Sequence, residues 1–318
     1  MKDLLRIADL TPGDLEHLLD LSEQVHHDPR LHTGLFEGDT VITYFAKPST
    51  RTRLSFGSAI THLGGTPEIV GPNELQLGRG ETIEDTARVV SRYARAFVIR
   101  TFSDDDVRRF AAAATIPVIN ALTDRHHPCQ ALADLLTLRQ HFGSLEGLRL
   151  AYLGDGNNVA HSLLEACAST GIDIVVATPP GYEPDRDIVA AAQRLAAASG
   201  ALVLTTHDPL AAVADANAVY TDVWVSMGDS DEERATRADA LRSYQVNAAV
   251  MNEASPDAVF MHCLPAHRGE EVSADVIDGP RSVVLDEAEN RMHTAQALLI
   301  ALSLGQLTGT AHVNAGAS

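Results

Sequence analysis

Thr40-Val41-Ile42-Thr43-Tyr44-Phe45-Ala46-Lys47-Pro48-Ser49-Thr50-Arg51-Thr52-Arg53 is the segment on which the reading of the fold turns. Its first six residues are β-branched or aromatic and almost wholly apolar, which suits a strand covered on both faces. Pro48 favours a turn, and Ser49 can cap an amphipathic helix that carries Leu54, Phe56 and Ile60. Free amides at that helix start, the hydroxyls beside them and the positive helix end make an anion site. Arg51 can add charge and paired donors. Two arginines in a first helical turn are unfavourable unless an anion or a carboxylate compensates them, so the segment points to anion binding rather than to a plain capped helix.

The same alternation recurs outward from it. Strands are expected at Thr40–Phe45, Ala96–Arg100, Val118–Ala121, Leu148–Gly154, Ile172–Thr178, Leu202–Thr205, Ala218–Asp222, Val259–His262 and Ser282–Asp286, with helical patterns between most of them. Short apolar strands separated by helices predict α/β architecture in two domains, each a mostly parallel sheet flanked by helices. An earlier helix start lies at Thr11-Pro12-Gly13-Asp14, followed by Leu15, Leu18 and Leu19 at helical spacing. The division is placed in the helix through Ala131–Phe142 and the hinge-like Gly143-Ser144-Leu145-Glu146-Gly147. That gives domains at 1–140 and 141–286, with a last helix from about Glu287, in 287–318, folding back on the first. The Gly-, Ala- and Ser-rich tail from about Thr308 reads as loose.

The 318 residues suffice for two such cores. The formal charge of -19 argues against nucleic acid and anionic membranes. No apolar run approaches a bilayer span, and the start of the chain lacks the layout of a secretion signal, so a cytoplasmic location is expected. Cys129, Cys167 and Cys263 are too few and too scattered for a disulfide framework. Lys2 and Lys47 are the two lysines, and such an acidic, arginine-based composition fits a salt-adapted host or a GC-rich genome. A rise in unfolding temperature between low and molar KCl is the test of the first.

Polar residues gather just after strands, where open α/β sheets bind ligands. Arg100 ends one strand, and His127-Pro128-Cys129-Gln130 follows another. Asp222-Val223-Trp224-Val225-Ser226-Met227-Gly228, His262-Cys263-Leu264-Pro265 and Glu289-Asn290-Arg291 come later. Taken singly, His127 reads as a capping residue, Arg100 and Arg291 as surface charges, Asp222 as a turn acid, and Trp224 as packing. Gly154-Asp155-Gly156-Asn157-Asn158 invites a dinucleotide reading, and hence an NAD-dependent oxidoreductase. Yet Val159 stands at the third glycine position and Thr178-Pro179-Pro180 supplies no acid after the next strand. Cys263 lies between His262 and His267, a pattern open to a metal pair or a Cys–His dyad.

Ser49-Thr50-Arg51-Thr52-Arg53 after a strand resembles the carbamoyl phosphate motif of the aspartate and ornithine carbamoyltransferases, and the four later segments match that family in order. The resemblance implies a carbamoyl phosphate-binding first domain, an amino-acid-binding second domain and an active site in the cleft between them. Ser49, Thr50, Arg51 and Thr52 would hold phosphate, and Arg100 would bridge phosphate and carbonyl oxygens. His127 and Gln130 would bind the carbamoyl group, the backbone carbonyls of Cys263 and Leu264 its nitrogen, and Arg291 would complete the pocket. Ser226-Met227-Gly228 is the mark of ornithine-using members. Asn158, Asp222, Ser226 and Met227 would hold ornithine, whose δ-amine takes the carbamoyl group to give citrulline and phosphate. Putrescine or N-acetylornithine is the nearest alternative amine.

Arg100, His127, Asp222 and Cys263 would be catalytic, with Cys263 orienting the amine rather than attacking. No cofactor and no bound metal are implied. Gln76, in Leu75-Gln76-Leu77-Gly78-Arg79-Gly80, matches a loop that enters a neighbouring subunit's site, which implies a homotrimer or a multiple of trimers. The chain departs from many relatives at Ala46 and Gly57, where they carry glutamates, and this bears on local ion pairs rather than on ligand contacts.

Overall fold

The computed structural model describes residues 1–75, 80–224 and 231–310. Gln76, Ser226 and Met227 therefore lie outside the described residues. The elements in chain order are α1 (Pro12–His27), β1 (Thr40–Phe45), α2 (Thr50–His62), β2 (Thr66–Val70), α3 (Ile83–Val90), β3 (Ala96–Arg100), α4 (Asp104–Ala113), β4 (Val118–Leu122) and α5 (Pro128–Phe142). They continue with β5 (Arg149–Leu153), α6 (Asn158–Thr170), β6 (Asp173–Ala177), α7 (Arg186–Ser199), β7 (Val203–Thr206), α8 (Pro209–Val213) and β8 (Ala218–Thr221). Last come α9 (Asp231–Leu241), α10 (Ala248–Glu253), β9 (Val259–Met261), α11 (Ala274–Ile277) and α12 (Val284–Ser303).

Two parallel sheets result, one in the order β2-β1-β3-β4 and the other β7-β6-β5-β8-β9. Their central strands are buried on both faces, as the apolar runs require. One apolar cluster runs through both sheets by way of α1, α5, α6 and α12, and smaller clusters cover the far face of each sheet. The long helix α12 follows the second sheet in sequence but packs on α1, α2 and α5 of the first.

Local chemistry accounts for the element ends. The α1 start is a reciprocal cap: Thr11 Oγ1 accepts from Asp14 N at 3.1 Å, and Asp14 Oδ2 accepts from Thr11 N at 2.9 Å. The end of α5 is Gly143 with φ 80°, a left-handed residue that glycine adopts without steric cost.

Three expectations are corrected. Ser282–Asp286 is not a strand: Ser282 forms one isolated bridge to Phe260, and α12 has begun at Val284 rather than near Glu287. Asp286 and Glu287 sit in its first turn, where carboxylates favour helix over strand. Conversely, Thr66–Val70 is a strand that apolar patterning passes over. It lies at the sheet edge, half exposed, where Pro67 and Glu68 are tolerated. The segment from Thr308 is not loose at its start. Asp14 accepts from Thr308 N at 2.8 Å and Gly309 N at 2.9 Å, and Thr310 N donates to Asp9 O.

Candidate active site

The ends of β1, β3 and β4 face the ends of β5, β8 and β9 across a cleft. From the first sheet, Ser49 caps α2 and accepts from Thr52 N at 3.3 Å, leaving the amides of Thr50 and Arg51 without an intrahelical partner. Arg100 closes β3 and its Nη1 reaches Ser49 Oγ at 3.4 Å. His127 stands immediately before α5, its backbone N–H held by Ser162 Oγ at 2.7 Å. Arg291 comes down from α12: Nη1 donates to Gln130 Oε1 at 2.5 Å and lies 3.5 Å from His127 Nε2, while Nη2 reaches Thr52 Oγ1 at 3.4 Å.

The electrostatics here are unusual. Among the described residues, none of Arg51, Arg100 and Arg291 pairs with a carboxylate. The buried Nε atoms of Arg100 and Arg291 have no hydrogen-bond partner there either. Burial, reinforced by the neighbouring charge of Arg291, lowers the Arg100 guanidinium to about 10. Burial and the same three cations hold His127 well below the usual histidine range. Its ring is therefore neutral at physiological pH, with Nδ1 unpartnered among the described residues. Three clustered cations beside a neutral imidazole and a helix start have the chemistry to receive a small, highly charged anion.

His126, the adjacent histidine, turns away: its Nδ1 meets Asp104 Oδ1 at 2.6 Å.

The second sheet supplies the opposite polarity. Asp222 follows β8 and is almost fully buried. Its Oδ1 accepts from Cys263 Sγ at 3.0 Å and its Oδ2 from Asn157 Nδ2 at 2.7 Å. Burial, then the Asp222 charge, raises the Cys263 thiol well above its ordinary range, so it stays protonated. His262 is committed elsewhere, accepting from Leu264 N at 2.8 Å and facing Glu271 at 3.3 Å. Among the described residues, both ring nitrogens of His262 are thus engaged by groups other than the Cys263 thiol. Leu264 has φ 55° and precedes a cis peptide bond to Pro265.

Between the two halves lies a buried acid pair. Gln130 Nε2 donates to Asp134 Oδ1 and to Glu287 Oε1, each at 2.8 Å. Glu287 also accepts from Tyr220 OH at 3.1 Å and from His262 N at 3.0 Å. Burial and the mutual proximity of the two acids push Glu287 well above the carboxylate range, so it carries a proton toward Asp134. The sequence assigns no site role to Asp134, Glu287, Tyr220 or Asn157. The signal for Asp134 was an acid inside an apolar helical run, Ala131 to Leu138.

Asn158 donates its Nδ2 to Thr123 O at 2.7 Å, joining the two domains at the cleft, whereas its neighbour Asn157 touches Asp222. Gln130 spends both ends of its amide on Arg291 and the acid pair. The glycine turn after β5 is filled by the chain itself. Gly156 N donates to Tyr182 O at 2.8 Å, and a side chain at Gly156 would strike the Glu183–Pro184 backbone. The Asn157 side chain caps the α6 amides of Val159 and Ala160 that a pyrophosphate would need.

Residues 2–140 match the family "Aspartate/ornithine carbamoyltransferase, carbamoyl-P binding domain", and residues 146–302 match its "Asp/Orn binding domain". The chain belongs to the aspartate/ornithine carbamoyltransferase family. An ornithine carbamoyltransferase of Parafrankia sp. (strain EAN1pec) is 56% identical over 295 residues, covering 92% of this chain and 93% of the relative. One from Pyrococcus abyssi (strain GE5 / Orsay) is 49% identical, covering 97% and 98%. Among solved structures, the ornithine carbamoyltransferase of Pyrococcus furiosus aligns with a TM-score of 0.92 at 48% identity, over 96% of this chain and 98% of that one. The two-sheet architecture expected of such a carbamoyltransferase is thereby confirmed.

Proposed function

We infer that the chain transfers the carbamoyl group of carbamoyl phosphate to the δ-amine of L-ornithine, giving L-citrulline and phosphate. The observation that carries this reading is the convergence of Arg51, Arg100 and Arg291, without carboxylate partners among the described residues, on the start of α2. Asp222 and Cys263 across the cleft supply the counterpart for an amine.

The roles follow from chemistry. The Ser49, Thr50, Arg51 and Thr52 segment, with Arg100, takes the phosphate. Neutral His127 supplies a hydrogen bond to the carbamoyl oxygen without adding a fourth positive charge. Arg291, steered by Gln130, completes the polar wall, and the carbonyls of Cys263 and Leu264 face the carbamoyl nitrogen. Asp222 attracts the amine of ornithine, whose amino-acid end is taken by Asn158 and by Ser226 and Met227.

The amine has a solution pKa of roughly 10.4, by analogy with lysine, so presenting it neutral at pH 7 costs roughly 4–5 kcal/mol. Its nitrogen then attacks the carbamoyl carbon. The tetrahedral oxyanion is stabilised by Arg100, His127 and Thr52, donors already in place. The carbon–oxygen bond to phosphate breaks, and the amine proton leaves with phosphate, whose charge the arginines match. A protonated thiol bound to Asp222 is a poor nucleophile, which favours direct attack over a carbamoyl-cysteine.

We further propose a homotrimer or a multiple of trimers, with Gln76 entering a neighbour's site, and a cytoplasmic enzyme. Among the described residues no helix is long and apolar enough to cross a membrane.

The test is ureido-product formation from carbamoyl phosphate with ornithine, putrescine, N-acetylornithine, lysine and aspartate. Preference for ornithine is expected. Preference for another amine would overturn the roles of Ser226 and Met227, and folded protein inert with all five would sink the transfer reaction.

A further inference from the structure

Histidines also gather where the last turn of α1 meets α12, the helix that carries Arg291 into the cleft. His26 lies in that last turn, and its ring stands edge-on to His293 at a centroid distance of 4.7 Å. Glu289 and His293 are four residues apart on α12 and so share a face, with Glu289 Oε1 4.0 Å from His293 Nε2. One ligand atom from each of His26, Glu289 and His293 lies within 4.8 Å of the others.

The hydrogen bonds determine which atom of His293 is available. Asn290 Nδ2 donates to Thr137 Oγ1 at 2.9 Å and to Gln140 Oε1 at 2.8 Å, so Asn290 Oδ1 is an acceptor. His293 Nδ1, 3.2 Å from that oxygen, must therefore be the N–H. This leaves the lone pair on Nε2, the atom that faces Glu289. A histidine oriented through its other nitrogen by a fixed acceptor is the arrangement found around bound transition metals. His293 itself is 2% exposed, while His26 and Glu289 are exposed and free to adjust. Burial, then the proximity of His26, lowers His293 to about 4, so it is a neutral donor at physiological pH.

We propose that His26, Glu289 and His293 form a site for a divalent transition metal of the zinc, cobalt or nickel class. Two imidazoles and one carboxylate select such ions over magnesium or calcium, which prefer all-oxygen shells. Metal–nitrogen bonds of about 2.0–2.1 Å place tetrahedral ligands roughly 3.3 Å apart, so the two exposed side chains close by about an ångström. The solvent side leaves the fourth position to water. Bound metal would tie the end of α1 to the helix that carries Arg291, two residues before His293. The net charge of -19 favours cations near the surface, and His26 sits at the negative end of α1.

The experiment must separate this site from the cleft, where Asp222, His262 and Cys263 also cluster. The full-length chain with Cys263→Ser, stripped of metal, is titrated with Co2+ and then with Zn2+ in competition. One Co2+ per chain with visible bands is expected, and Zn2+ should raise the melting temperature. His26→Asn or Glu289→Gln, both at exposed positions, should each weaken binding at least tenfold, and together abolish it. No Co2+ or Zn2+ binding by the Cys263→Ser chain would overturn the site. So would equal binding after His26→Asn and Glu289→Gln, which would place the metal elsewhere, for example at His267, Glu270 and Glu271. An equal melting shift with Mg2+ or Ca2+ would overturn the class of metal.

Discussion

The two walls of the cleft handle charge in opposite ways. On the first-domain wall, Arg51, Arg100 and Arg291 are brought together, partly desolvated, without carboxylate partners among the described residues. On the second-domain wall, Asp222 is already satisfied by Cys263, Asn157 and its own neighbour's amide. Gathering like charges costs folding free energy that a bound anion returns, so the first wall is built to be completed by its ligand. The second is built to be rearranged by one: an incoming amine must displace or share existing hydrogen bonds. Anion binding should therefore stabilise the protein strongly, and amine binding should be the step that depends on fine placement.

The acid pair between the walls offers the largest perturbation. Glu287 joins Gln130, and through it Arg291, to Tyr220 and the His262 backbone, so both walls rest on it. Glu287→Ala removes the proton donor to Asp134 and leaves that buried carboxylate with Gln130 as its one remaining donor among the described residues, at a cost of about 3–5 kcal/mol in denaturant unfolding. Glu287→Gln keeps a donor toward Asp134 and loses only the acceptor for His262 N, about 1–3 kcal/mol. Equal losses in the two variants would mean that the pair does not share a proton.

A smaller effect separates the walls. Arg100→Ala should lower kcat by about 10²–10³, as loss of an oxyanion donor does, and should abolish the thermal stabilisation by carbamoyl phosphate. Asp222→Asn should leave that stabilisation intact and raise the KM for ornithine. If Asp222→Asn instead weakens carbamoyl phosphate as much as Arg100→Ala does, the division of labour between the walls is wrong.

What could be read in advance follows the same physics. Central strands were legible because burial on both faces imposes continuous apolar runs, whereas the edge strand Thr66–Val70 is released from that demand and carries Pro67 and Glu68. The arginines and His127 were legible because they belong to contiguous motifs placed just after strands. Asn157, Tyr220, Asp134 and Glu287 were not. Their partners lie 65, 67, 4 and 157 residues away, and only the folded chain brings most of them together. Asn157 was further masked by Asn158 beside it, since two identical residues in a turn give no means of choosing between them.

The smallest effect is the pH dependence of the joint between the walls. His161, on α6, accepts from Asp185 N through Nε2 at 3.0 Å, so its Nδ1 is the N–H that donates to Arg125 O at 2.9 Å. Burial, despite that bond to Arg125, lowers His161 to about 4. Its ordinary pKa is 6.5, so between about 6.5 and 4 the unfolded chain binds the proton and the native one does not. Stability from this group is complete above 6.5 and is lost as pH falls toward 4, because the unfolded chain takes up a proton that the native ring, buried and accepting from Asp185 N through Nε2, does not. His161→Gln has no proton to gain, so its unfolding free energy should fall less steeply with acid over that window than the parent's. His293 titrates in the same window and keeps part of the slope in the variant. An unchanged slope would mean that the joint opens before His161 is protonated, and that the two walls separate by another route.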